Sequence, residues 1–319
     1  MTAKTDKLMH RWQAQRWLLD AVIRTVGVEW DQPRLAYMGA PAGPEGVAEM
    51  RMVGARIKRA ADFDREFANA ARRREARAKA SADAGRTVAA RENYLLASLL
   101  WASARWPIFE LNDTLVKYEE HMDACYRAYA QLAAHPVEVV DVAFAGKAMP
   151  GHLHLPRKPA AGEKFPCVIN IPGMDSSKEN GVSMYGDPLL QRGMAVLSID
   201  GPGQGESVTR GIYCGETNHM DAARAMVDWL AKRPEIDAGR IAIRGTSFGT
   251  FWGTQAAAAL GDKIRGAALV GVCHEPGCNT IFNMASPSYK LRYMFMSNHH
   301  DEDAFDEFAA KLDLRPIAK

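Results

Sequence analysis

Two kinds of hydrophobic pattern meet near His135-Pro136. Before that point, apolar residues recur at helical spacing in stretches rich in Ala, Arg, Glu and Leu and poor in Gly. Beyond it, short β-branched runs alternate with helical patterns, and Gly and Pro punctuate them. This predicts an all-helical domain over residues 1–134 and an α/β domain over residues 135–319.

In the first part, Arg56–Ala84 and Val88–Ala104 hold strong helix formers and no Pro. Gly85 separates them and suits a helix end. Val88, Leu95, Leu96, Leu99 and Leu100 form the apolar stripe of the second helix, which Trp106-Pro107 ends. A third helix is predicted from about Asn112 to Ala134. In the second part, Val137–Phe144 and Ala148–Leu155 flank Ala145-Gly146-Lys147 and predict a hairpin. Short buried-type strands follow at Cys167–Ile171, Met194–Ile199, Ile241–Arg244 and Ala267–Val272. Helical patterns lie between them near Pro188–Arg192, Asn218–Lys232 and Phe248–Leu260. That alternation implies a mostly parallel sheet with helices on both faces, where ligands bind at the carboxyl ends of the strands.

Composition narrows the function classes. The chain has 319 residues, a net charge of +2 and 47% hydrophobic residues, which excludes a disordered or collagen-like protein. Near-neutrality gives no electrostatic case for nucleic acid. Residues 1–134 carry 21 Lys/Arg against 17 Asp/Glu, centred on Arg72-Arg73-Arg74 and Arg77. Glu66, Glu75 and Asp83 intersperse that run, so a solvated helix face is the expectation. The five Cys have no C-x-x-C spacing, which argues against a metal or redox motif and for reduced thiols in a cytoplasmic protein. The N-terminus reads as neither signal peptide nor anchor, and no run of 18 apolar residues exists to cross a membrane.

The strongest chemical signal is Gly245-Thr246-Ser247-Phe248-Gly249, between the apolar strand Ile241-Ala242-Ile243 and an Ala-rich helix. A nucleophile elbow needs this strand–turn–helix setting. The serine backbone is strained, and only small residues fit two places before and after it. Ser247 is the expected nucleophile, with the new helix aiming its first amides at the reaction centre. The second signal is Ile169-Asn170-Ile171-Pro172-Gly173-Met174-Asp175, a buried strand ending in a Pro-Gly turn. In an acyl-transfer enzyme such a loop supplies an oxyanion-hole amide. The candidates are the backbone N–H groups of Met174 and Phe248. The third segment, Asp200-Gly201-Pro202-Gly203-Gln204-Gly205-Glu206-Ser207, is glycine-rich. It lacks the Gly-Lys-Ser/Thr of a phosphate loop, so it reads as a tight turning loop beside the site.

These motifs resemble the α/β-hydrolase superfamily. Arg86–Trp106, Cys125–Pro156 and Pro172–Glu179 resemble the subgroup with an N-terminal helical domain that includes 2,6-dihydroxypseudooxynicotine hydrolase and the fermentation–respiration-switch esterase-like proteins. The resemblance spans roughly residues 60–312. It implies cleavage of a C–C bond in a β-diketone-like ketone, or of an ester. It also implies a helical domain serving as lid, and a homodimer.

The superfamily presents its acid and then its His after the nucleophile. Here His274, His299 and His300 come too early for that loop, and Leu314–Lys319 reads as the lead-in to a further strand. The chain is therefore expected to be a C-terminally truncated hydrolase, with the acid and His of the triad missing and little turnover. Two alternatives stay open: a rewired site using Glu275 with His299 or His300, and a metal site at His299, His300, Asp301 and Asp303. Glu275 follows the last strand and is a candidate for handling a substrate proton, against the plainer reading of a surface acid. Tyr213 and Trp252 are candidate substrate-binding residues, against core packing. Arg91, Glu92 and Tyr94 could act as cap residues.

Two functions compete. One is a serine hydrolase of a small molecule that needs neither metal nor organic cofactor. The other is a catalytically inactive interaction protein that keeps the fold.

Overall fold

The computed structural model describes residues 17, 19–28, 34–271 and 275–317. The expected strand end at Val272, Cys273 and His274, and the N-terminal stretch Met1–Lys7, lie outside the described residues. The chain divides into two compact units. One runs to Val137 and also takes in Val182–Asp187; the other holds Glu138–Gly181 and everything from Pro188 onward.

In the helical unit, α1 (Phe63–Asp83), α2 (Thr87–Arg105) and α3 (Asp113–Leu132) pack side by side. Phe67, Leu95, Leu99, Leu100, Trp101 and Tyr126 form its buried centre. The predicted helical start at Arg56 is wrong. The Asp62 carboxylate accepts the N–H groups of Lys58 and Arg59, which holds that stretch in a turn, and α1 begins only at Phe63. The Asn112 side chain accepts Leu115 N–H and caps α3.

The second unit is built on one six-stranded sheet. Its strands are β1 (Val137–Phe144), β2 (Lys147–His154), β3 (Phe165–Ile171), β4 (Ala195–Ile199), β5 (Ile236–Thr246) and β6 (Ala267–Val270). Their order is β1-β2-β4-β3-β5-β6. β2 runs antiparallel to β4, and the β4–β3, β3–β5 and β5–β6 pairs are parallel. The expected mostly parallel α/β sheet is therefore present. Ala145 and Gly146 both have positive φ, as a two-residue hairpin turn requires, and they join β1 to β2. α4 (Asn218–Leu230) packs on α5 (Gly249–Leu260), and α5 covers β5 and β6.

β5 starts five residues earlier than predicted. Asp237 and Gly239 argue against a strand, yet the chain keeps pairing with β3 across an irregularity between Phe165 and Cys167. Between β6 and Leu314 lie α6 (Pro287–Met296) and α7 (Glu302–Ala309). Within the expected strand lead-in, Arg315–Ile317 form a 3-10 turn, and Ala318 and Lys319 lie outside the described residues. Asp313 closes that turn by accepting Arg315 N–H and pairing with its guanidinium. No described helix is long and apolar enough to cross a membrane.

Candidate active site

Ser247, between β5 and α5, has φ +56°, one of four non-glycine residues with positive φ among the described residues. A non-glycine residue is strained in that region and persists only where its surroundings impose it. Ser247 N–H donates to Val270 O at 2.9 Å, and Thr250 N–H donates to Ser247 O at 2.9 Å. Glycines let the backbone close around the turn. A Cβ on Gly245 would collide with Gly249 O, and one on Gly249 would collide with Ile171 O. A Cβ on Gly271 would lie 2.9 Å from Ser247 N. Ser247 is exposed, and its hydroxyl makes no hydrogen bond among the described residues.

The loop after β3 comes up against this hydroxyl. A Cβ on Gly173 would stand 2.8 Å from Ser247 Cβ and 3.2 Å from its Oγ. Met174 and Phe248 are both buried, and neither backbone N–H meets an acceptor among the described residues. The loop's carbonyls, in contrast, are held. Gln204 Nε2 donates to Pro172 O at 2.5 Å and to Gly173 O at 3.4 Å, and Arg292 Nε donates to Met174 O at 3.2 Å.

Beneath lies a buried charge cluster. Lys178 Nζ stands 2.7 Å from Glu179 Oε1, 2.9 Å from Glu206 Oε2 and 3.6 Å from Asp200 Oδ2. Asp200 also accepts the N–H groups of Lys178 and Glu206, so it ties the loop after β3 to the loop after β4. Burial opposes charge on Lys178, but its three carboxylates outweigh that and hold its pKa well above the usual value. Burial likewise pushes Glu206 up, while Lys178 and Arg210 together pull it down to about 2. The glycine-rich segment thus acts as a structural turn, and it also opens a short helix, Gly205–Thr209.

Glu275 is half-buried, and its Oε1 accepts Thr280 N–H at 2.7 Å, capping the helical turn that follows. Trp252 is 1% exposed, among Phe248, Tyr293 and His219. Tyr213 is half-buried. His219 is stacked on Trp252 at 4.7 Å, and burial lowers its pKa to about 3, so it stays neutral. His299 Nδ1 meets Ser297 Oγ at 2.9 Å, His300 Nε2 meets Asn298 Oδ1 at 3.1 Å, and Asp301 caps α7. Among the described residues no group of three His, Cys, Asp or Glu is arranged to hold a metal ion. Sequence reasoning missed Gln204 and Arg292. A guanidinium in the otherwise apolar run Leu291–Met296 was the available signal for the second.

Comparison with known proteins follows this geometry. The family model described as FrsA-like, "Esterase FrsA-like", matches residues 54–300. The α/β hydrolase xenA of Xenoacremonium sinensis is 30% identical over 56% of this chain and 44% of its own length. Esterase FrsA of Photobacterium profundum is 27% identical over 54% of this chain and 40% of its own. The 2,6-dihydropseudooxynicotine hydrolase of Paenarthrobacter nicotinovorans is 30% identical over 67% of this chain and 56% of its own. The chain spans about half the length of the curated relatives it matches. Among solved structures, a 2,6-dihydroxy-pseudo-oxynicotine hydrolase superposes with a TM-score of 0.68 at 22% identity. That superposition covers 89% of this chain and 76% of the other, and it gives the fold as that of an α/β hydrolase.

Proposed function

We propose that this chain, which belongs to the FrsA-like esterase family, is a serine hydrolase of a small ester or β-diketone-like ketone with Ser247 as its nucleophile. The observation that carries the reading is the strained Ser247 at φ +56°, exposed, with Gly173 packed against its side chain.

The chemistry follows from the positions. Ser247 Oγ adds to the carbonyl carbon and passes its proton to a base. The carbonyl electron pair moves onto oxygen, where the Met174 and Phe248 amides receive it. Losing one such donor lowers a rate by roughly 100- to 1000-fold. Collapse of the adduct breaks the C–O bond of an ester, or the C–C bond of a ketone, and the departing group takes up a proton. Water then adds to the acyl-serine and releases the acid. For the ketone branch, Glu275 is the proposed proton handler at the departing carbon, with one of its oxygens already held by Thr280 N–H. Tyr213 is the proposed pocket wall. The fully buried Trp252 presents no ring face to a substrate and acts through packing. No described His touches Ser247 Oγ, so the reading assigns this chain the nucleophile and the hole but not the base.

That last observation favours a second reading, an α/β-hydrolase-fold interaction protein without turnover. Steady-state assays of a p-nitrophenyl ester and an aryl β-diketone separate the two. Under the first reading, whatever turnover the native chain shows is lost in Ser247→Ala. Turnover that survives Ser247→Ala overturns that reading, and a native chain inert towards both substrates favours the second.

A further inference from the structure

Gln204 sits in the loop after β4, 1% exposed, with every polar atom of its amide in use. Its Oε1 accepts Gly201 N–H at 3.1 Å, within its own loop. Its Nε2 donates outward to Pro172 O and Gly173 O of the loop after β3. The chemistry fixes this orientation: backbone carbonyls only accept, and Gly201 N–H only donates.

A carbonyl and the next residue's N–H share one trans peptide plane and point opposite ways, and no described peptide is cis. Holding Gly173 O therefore aims Met174 N–H away from Gln204. The planes on either side are held too, one through Pro172 O by Gln204 and the other through Met174 O by Arg292 at 3.2 Å. No strand partner restrains residues 172–175, which lie beyond the last β3–β5 pair at Ile171 and Gly245. Ser176 N–H also donates to Gly173 O at 3.4 Å from within the loop, and Gln204 adds the fixation from outside it that a ladder would otherwise give.

We propose that Gln204 is a positioning residue: its amide clamps the Pro172-Gly173 carbonyls and so sets the direction of the Met174 N–H beside Ser247. The proposal rests on the serine-hydrolase reading only for its kinetic consequence. The clamp itself is a statement about the loop.

Gln204→Glu separates the clamp from simple packing. It keeps the size of the side chain and an acceptor for Gly201 N–H, but replaces the donor that faces the two carbonyls. Two measurements on the full chain test it. By hydrogen-exchange mass spectrometry, peptides covering 172–177 exchange about tenfold faster in Gln204→Glu, while peptides within α5 are unchanged. In labelling with an alkyl fluorophosphonate, whose P=O needs the same hole, the maximal rate falls about 100-fold while the half-saturating concentration moves little. A misplaced amide has that signature; a damaged fold moves both. If the new carboxylate unfolds the chain, Gln204→Met removes the donor without adding charge and carries the same expectations. Unchanged exchange over 172–177 overturns the clamp. Faster exchange with an unchanged labelling rate overturns its role in positioning the amide. If the native chain is not labelled at all, the serine-hydrolase reading fails, and the exchange result still decides the clamp.

Discussion

In the helical unit, the buried pair Arg105–Glu119, at 2.7 Å, joins two regular helices, α2 and α3. In the sheet unit, the buried ammonium of Lys178 meets Glu179, Asp200 and Glu206, all from loops at the ends of β3 and β4. The helices satisfy their own backbone, so one ion pair there adds to an existing packing contact. The loops have no ladder, so Asp200 must accept two backbone N–H groups and Ser198 Oγ must donate to Lys178 O. These two clusters therefore do different work: Arg105–Glu119 braces regular helices, and the Lys178 cluster shapes the irregular backbone beside Ser247, as the buried Asp62 does for the turn ahead of α1.

The largest effect should come from removing Lys178. Lys178→Met leaves three carboxylates crowded in a dry site, and the loss should reach or exceed the upper end of ~3–5 kcal/mol. Arg105→Met strands one carboxylate and should cost nearer ~3 kcal/mol. Urea unfolding of both variants checks the order, and a reversed order would break the comparison.

Glycine substitution sharpens it next. Gly205, at φ +42°, faces Asp200 so closely that a Cβ would collide with the carboxylate. Gly85, at φ +69°, ends α1 with nothing within 4 Å of an added Cβ. Gly85→Ala should cost only the left-handed penalty, about 1 kcal/mol. Gly205→Ala should lose roughly 3 kcal/mol, because Asp200 must also give way.

Acid titration tests it last, through a slope in pH rather than a single loss. His219 takes its proton near pH 6.5 when unfolded but only at about 3 when folded. The unfolded state binds more protons in that window, so stability falls as pH drops below 6.5. Glu206 adds its loss lower down. Its contribution is complete above 4.5 and disappears as pH falls towards about 2. His219→Gln should flatten the upper part of the curve by up to ~1.4 kcal/mol per pH unit and leave the lower part. A curve unchanged between pH 6 and 5 would show that His219 is not held neutral.

Legibility followed the same division. The turn at Ser247 could be read from five consecutive residues because its constraint is local: small neighbours two positions away on each side. The parallel sheet was legible because β3 and β4 are continuous apolar runs. Lys178-Glu179 read as ordinary loop residues, since only partners at Asp200 and Glu206, more than twenty positions on, make them buried. Gln204 was hidden in a glycine-rich run whose turn chemistry explained it well enough. The late start of α1 escaped because Asp62 competes for amides that helix propensity alone would assign to the helix.

The central claim is that the glycine-packed turn presents Ser247 as a nucleophile. Treating the purified chain with a fluorophosphonate and mapping the adduct by peptide mass spectrometry tests it most directly. The account predicts one adduct, on the peptide carrying Ser247, absent from Ser247→Ala. An unmodified Ser247, or an adduct that persists in Ser247→Ala, would contradict it.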